Sequence, residues 1–330
     1  MDKNPTTKSM TSGEAVVDGL IRNEIDTLFC LPGVQNDLFF DALHARTDEL
    51  RAIHTRHEQA SAYMALGAAL ATGKPSAFCV VPGPGFLNAS AALATAYSTN
   101  SKVLALLGQI NLASIDRGYG LLHEVRDQIG ILRTMTKWAE RIESPSDAAR
   151  LTQEAFRQLG AGRPRPVGLE CPIDVWGRRA PVAIPNHPAD IQTPPVDIDK
   201  VEDAAKLLGA AKNPMIIVGG GAQDASAEVQ HVAEMLEAPV CAYFMGRGVL
   251  DSRHHLSITM PTGEELWKKA DVVLGVGTRM QPHQQRWGVD KELKIIRIDL
   301  SQEEMSRITR PEIGIVGDAT SVLNALAEAT

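Results

Sequence analysis

Short, continuously apolar, strand-like runs alternate with helix-length amphipathic segments from one end of this chain to the other. A strand apolar on both faces needs cover on both, so the alternation demands parallel sheets with helices packed against each side. The predicted fold class is α/β, as two doubly wound parallel-sheet domains with helices on both faces. In the first half the expected strands are residues 27–31, 51–55, 76–81, 102–108 and 166–171, and the expected helices 36–46, 58–72, 86–98 and 146–160. Thr11 and Glu14 have the spacing of a capping box ahead of one further helix, AVVDGLIRN. In the second half, strands are expected at 214–220, 238–243, 271–277, 294–300 and 314–318, with helices near 199–211, 223–236, 262–269, 302–309 and 318–329. Ser301 and Glu304 offer a second capping box.

Between the halves, prolines at 172, 181, 185, 188, 194 and 195 deny both helix propagation and regular ladder donation over residues 172–198. The expected organisation is therefore a first domain over 1–175, a Pro-rich linker over 176–196 and a second domain over 197–330. The net charge of −7 comes from 40 acidic and 33 basic residues spread along the chain, which leaves no basic stripe for nucleic acid. Cys30, Cys79, Cys171 and Cys241 stand far apart with no metal-ligand spacing, as expected of buried, reduced thiols in a cytoplasmic protein. The N-terminal MDKNPTTKSM has no apolar leader core and no run is long enough for a membrane span, so the chain reads as soluble and unprocessed.

Three expected strand ends carry unusual residues. The strand at 51–55 runs into Arg56-His57-Glu58-Gln59 and a helix of small residues, which puts Glu58 at the carboxyl edge where open α/β sheets bind ligands. An acid in a helix's first turn is favoured by the macrodipole alone, so Glu58 by itself has an ordinary explanation. Pro32-Gly33-Val34-Gln35-Asn36 follows the first strand, and Pro82-Gly83-Pro84-Gly85 with Asn88 follows the third. Each loop could be a plain tight turn, but glycines also admit a ligand close to backbone while prolines stiffen the loop. In the second half, Gly219-x-Gly221-x-x-Asp224 and Gly275-x-Gly277-x-x-Met280 both fall short of a dinucleotide-binding fingerprint.

Taken together these segments resemble the thiamine diphosphate enzymes of the acetolactate synthase type, a group that includes pyruvate oxidase, oxalyl-CoA decarboxylase and benzoylformate decarboxylase. FCLPGVQND, TRHEQAS, VVPGPGFLNASAALATAY, LLGQ, LLHEVRDQIGILRTMTKWAERI and GRPRPVGLECPIDV are similar to that family's pyrimidine-binding domain, and IIVGGGA, GRGVLDSRHHLS and GVGTRM to its central domain. The resemblance implies that Glu58 is the carboxyl that activates the cofactor by sharing a proton with its aminopyrimidine N1′. Burial among Ala60, Ala62 and Met64 would favour such sharing, because desolvation disfavours the charged carboxylate. It implies further that Pro32, Gly33, Pro82 and Asn88 line the aminopyrimidine pocket, and that His123 beside Glu124 faces the substrate. His123 reads equally as a solvated loop histidine. Some relatives hold FAD or an ADP moiety in the central domain, near the strand end that here reads Gly277-Thr278-Arg279; a structural role for these glycines is the preferred reading.

The family's diphosphate site, a Mg²⁺ held by a Gly-Asp-Gly motif and a later Asn, has no counterpart, the nearest text being Gly317-Asp318-Ala319. The expectation is a subunit of a split 2-oxo acid decarboxylase or carboligase that self-associates through its pyrimidine domain, while a separate chain holds diphosphate and Mg²⁺. A chain beginning with Met1 agrees with this expectation. A fragment of a longer enzyme and a regulatory protein that retains the fold stay open beside it.

Overall fold

The computed structural model describes residues 6–329, so residues 1–5 of the stretch read as lacking a leader lie outside the described residues. The chain forms two compact units, Met1–Gln192 and Thr193–Thr330.

The first unit runs β1 (Thr6–Thr11), α1 (Ser12–Arg22), β2 (Thr27–Cys30), α2 (Asp37–His44), β3 (Arg51–His54), α3 (Glu58–Thr72), β4 (Ser76–Val80), α4 (Pro84–Thr99) and β5 (Val103–Gln109). It continues through α5 (Gln128–Met135), β6 (Trp138–Arg141), α6 (Pro145–Gly160), β7 (Val167–Pro172), α7 (Ile173–Trp176) and β8 (Arg179–Ile184). Six of these strands form a parallel sheet in the order β3-β2-β4-β5-β7-β6. The fully buried β4 and β5 lie at its centre, as their unbroken apolar runs require. One face packs under α1, α2 and α6 around Leu20, Phe39 and Phe156, the other under α3, α4 and α5 around Ala65, Phe86 and Leu132. From β2 the chain moves outward to β3, whereas from β4 it moves the opposite way to β5, so the connections diverge between β2 and β4. Divergence at neighbouring strand ends opens a crevice at the carboxyl edge.

The second unit comprises α8 (Ile198–Gly209), β9 (Pro214–Val218), α9 (Ser226–Leu236), β10 (Val240–Ala242), β11 (Ser257–Ile258), α10 (Met260–Trp267), β12 (Val272–Val276), β13 (Lys294–Asp299), α11 (Gln302–Met305), β14 (Ile313–Val316) and α12 (Ala319–Ala329). Its six strands are parallel in the order β11-β10-β9-β12-β13-β14, with a separate core on each face. No helix of the described residues is long and apolar enough to cross a membrane. All four cysteines are free and buried, and burial pushes the Cys30 and Cys241 thiols up to about 11.

Two expectations need correction. The prolines after residue 172 do not abolish pairing: β8 runs antiparallel to β1, with Pro181 opposite Ser9. A two-stranded ribbon leaves each strand one unpaired edge, where proline's missing N–H costs nothing. The Thr11–Glu14 capping box forms as expected, but that of Ser301 and Glu304 does not, because no side-chain bond caps α11. The Glu304 carboxylate is turned inward to Arg307 and Arg279, 3.1 and 3.8 Å away, and the Ser301 amide donates instead to Asp299.

Candidate functional site

Glu58 opens α3 at the end of the edge strand β3. The turn leading to it is fixed from below: the buried Thr55 and Ser61 hydroxyls lie 2.7 Å apart, the Thr55 hydroxyl donates to the His57 carbonyl, and the Thr55 amide extends the ladder to Cys30. His57 caps the helix, its Nδ1 accepting from the Gln59 amide. Glu58 stands in line with Ser61, Ala62, Ala65, Leu66 and Ala69, the buried stripe of α3, so its side chain points toward the sheet edge and is 15% exposed. The enclosure expected from Ala60 and Met64 is absent, since helical spacing turns both outward and only Ala62 of the three is buried. Asn88, one turn into α4, donates Nδ2 to Glu58 Oε2 at 3.0 Å, whereas Oε1 accepts no hydrogen bond from the described residues.

The two Pro-Gly loops converge beside this carboxyl. A Cβ on Gly33 would lie 2.5 Å from Val81 Cγ1, and one on Gly85 would lie 2.6 Å from Val81 Cγ2 and 3.6 Å from Glu58 Cγ and Oε1. Both loops therefore need glycine to close on Val81, and a side chain at Gly85 would also crowd Glu58. Asn36 ties the loops together from inside, donating Nδ2 to the Val80 carbonyl, while its Oδ1 is buried with no partner. Pro32 is exposed on the first loop, and Pro82 is buried on the second, against Gly108. Gly83 adopts φ 57°, ψ −116°, a conformation that favours glycine, and a Cβ there would meet the His123 carbonyl at 2.5 Å. His123 thus joins the assembly through its backbone, itself at φ 70°. Its Nδ1 is buried without a partner, and no hydrogen bond links its ring to Glu58 among the described residues.

Sequence reasoning missed the groups beneath these loops: Asn36, Thr55, Ser61, Gln128 and Glu170. Glu170, an acid inside the apolar strand run PVGLEC, was a visible signal, because buried carboxylates require partners. Here the partner is Arg141, 2.6 Å away. Val34 on the first loop, Tyr63, Met64 and Leu70 along α3 and Leu87 on α4 are exposed apolar side chains. A cleft of about 690 Å³ lies instead over β6, at the opposite edge of the sheet from β3. The Arg133–Glu140 and Arg150–Asp147 pairs in its wall neutralise one another. Chemistry rather than concavity therefore selects Glu58 as the centre of the site.

In the second unit, the Gly221 amide donates to the Gly277 carbonyl, and a Cβ on Gly277, at φ 55°, would lie 2.4 Å from the Gly221 carbonyl carbon. These glycines let two loops pack backbone on backbone.

Comparison with known proteins adds two family matches. Residues 10–131 match the family described as thiamine pyrophosphate enzyme, N-terminal TPP binding domain, and residues 201–326 the thiamine pyrophosphate enzyme central domain. The chain is 32% identical over 329 residues to a probable 2-ketoarginine decarboxylase of Pseudomonas aeruginosa, covering 97% of this chain and 58% of that protein. It is 33% identical over 341 residues to a probable acetolactate synthase large subunit of Methanocaldococcus jannaschii, covering 97% and 56%. With the Escherichia coli acetolactate synthase isozyme 1 large subunit it shares 30% over 334 residues, covering 97% and 58%. The chain therefore spans little more than half the length of these relatives.

Proposed function

Because this chain belongs to the thiamine pyrophosphate enzyme family, among relatives named as acetolactate synthases and a probable 2-ketoarginine decarboxylase, we propose that it supplies the half-site that activates the cofactor's aminopyrimidine, with Glu58 as the activating carboxyl. The observation that carries this reading is the pairing of Glu58 with Asn88 at the edge where the Gly33 and Gly85 loops meet. Gly33 and Gly85 both close on Val81, and the absence of a side chain at Gly85, whose Cβ would lie 3.6 Å from Glu58 Oε1, fits a ring edge presented to that oxygen.

When bound, thiamine diphosphate supplies a thiazolium carbon that serves as nucleophile toward a carbonyl and as electron sink. The protein's part is to place and exchange a proton. Asn88 holds Glu58 Oε2, so Oε1 would be the oxygen available to share a proton with the cofactor's aminopyrimidine. Pro32, Gly33 and Pro82 stiffen and shape the loops beside Glu58, and His123, seated against Gly83, faces a 2-oxo acid substrate undergoing decarboxylation or carboligation.

The diphosphate and its Mg²⁺ are assigned to a partner chain. Support comes from the residues present, whose nearest approach to Gly-Asp-Gly, Gly317-Asp318-Ala319, lacks the second glycine. Tyr63, Met64, Leu70 and Leu87 on α3 and α4 are the surface assigned to self-association.

Titrating thiamine diphosphate with Mg²⁺ into this chain, alone and with a chain carrying a diphosphate-binding domain, tests the reading by calorimetry. Tight binding is expected only in the mixture; tight binding by the chain alone rules out the divided site. In the active mixture, Glu58→Gln is expected to lower kcat by on the order of 10²–10⁴, as for removal of an acid–base group. Unchanged turnover would remove Glu58 from its assigned role.

A further inference from the structure

The loop that closes on Glu58 is held from beneath by a side chain that the proposed chemistry does not use. Gln128 is buried at the start of α5, 1% exposed, and makes three hydrogen bonds. Its Oε1 accepts from the Gly83 amide at 2.9 Å, while Nε2 donates to the Gly108 carbonyl at 3.0 Å and to Glu170 Oε2 at 2.9 Å. The orientation of this amide is forced. Turned over, its oxygen would face a carbonyl and a carboxylate, and its NH₂ would face an N–H. Glu170, fully buried on β7, is fixed in turn by Arg141 Nε at 2.6 Å and by Gln109 Nε2 at 3.4 Å.

We propose that Gln128 is a positioning residue: the Arg141–Glu170 pair orients its amide, the amide holds the Gly83 N–H, and the held loop sets Gly85 and Asn88 against Glu58. The inference rests on the reading of Glu58 given above. The path is short. Gly83 is the residue before α4, so its placement sets the start of the helix that carries Asn88 to Glu58 Oε2. The conformation of Gly83, φ 57° and ψ −116°, is open to few side chains, and glycine's freedom would let the loop wander without an anchor. The same residue abuts the His123 carbonyl, so one anchor serves both sides of the site.

Two variants separate positioning from mere packing. Gln128→Met keeps the volume and removes all three bonds; Gln128→Glu keeps an acceptor for Gly83 but sets a second carboxylate against Glu170. Two readouts need no cofactor: the hydrogen-exchange rate of the Gly83 amide and the titration of the Glu58 carboxyl carbon, both by NMR on the full chain. In Gln128→Met, exchange at Gly83 is expected to speed by about tenfold, the worth of one buried hydrogen bond, and the Glu58 titration midpoint to move. In Gln128→Glu, protection of the Gly83 amide, compared with the parent chain at the same pH, is expected to return as pH is lowered. Burial and the facing Glu170 raise the new carboxyl's pKa, so it becomes protonated, donates to Glu170 and again accepts from Gly83.

An unchanged Glu58 titration in a folded Gln128→Met chain would overturn the proposal, as would loss of Gly83 protection in Gln128→Glu that acid does not restore. If Gly83 and Glu58 respond as expected while thiamine diphosphate fails to bind even with the partner chain, the cofactor reading fails and the positioning role stands.

Discussion

Burial holds the His283 imidazole down at about 4, against a weaker opposing pull from the Met280 backbone. The ring lies 4.4 to 6.0 Å from those of Trp287, Tyr243 and Trp267, a setting that disfavours the imidazolium. An unfolded histidine titrates near 6.5, so the folded state binds fewer protons between these values. The stability held by neutral His283 is therefore complete above about pH 6.5 and lost as pH falls toward 4, up to roughly 3 kcal/mol. Urea unfolding at pH 7 and pH 5 checks this: His283→Phe is expected to flatten the acid side of the profile, and an unchanged slope would assign acid lability elsewhere. The residue scale also shows what sequence could not reveal about Glu58. Its position at a strand end was legible from local pattern, but its hydrogen bond came from Asn88, thirty residues away and placed by helix packing.

At the scale of elements, the two capping boxes are instructive because the same spacing gives different results. Thr11 and Glu14 exchange both bonds, and Glu14 also pairs with Arg179 at 2.6 Å on β8, which ties α1 to the ribbon at its own N-terminus. Burial works to raise the Glu14 pKa, but the bonds from Arg179 and the Thr11 amide outweigh it and hold the carboxyl below its ordinary value. Thr11→Ala is expected to lower stability by about 1 kcal/mol, read as a lower urea midpoint with unchanged slope. At Ser301 the matching acid is claimed by Arg307 and Arg279, a competition invisible in a four-residue motif. The strand β8 was hidden for a similar reason. Proline argues against pairing only when both strand edges are used, and which edge is free is a tertiary fact.

For the whole molecule, each unit has a six-stranded sheet covered on both faces by its own cores. Residues 193–330 alone are thus expected to give a dispersed NMR spectrum and a cooperative thermal transition. A collapsed, undispersed spectrum would show that this unit depends on the rest of the chain. By itself the sequence determined the α/β class, most strands and helices, and the Gly-Pro loops and Glu58 at three strand ends, because hydrophobic period and Gly-Pro punctuation act over a few residues. Only the tertiary structure decided that the Gly33 and Gly85 loops close on one valine, that Asn88 reaches Glu58, and that Gln128, Glu170 and Arg141 lie beneath them. Strand order sets those proximities, and strand order follows from how helices cover both faces of a sheet rather than from any local signal.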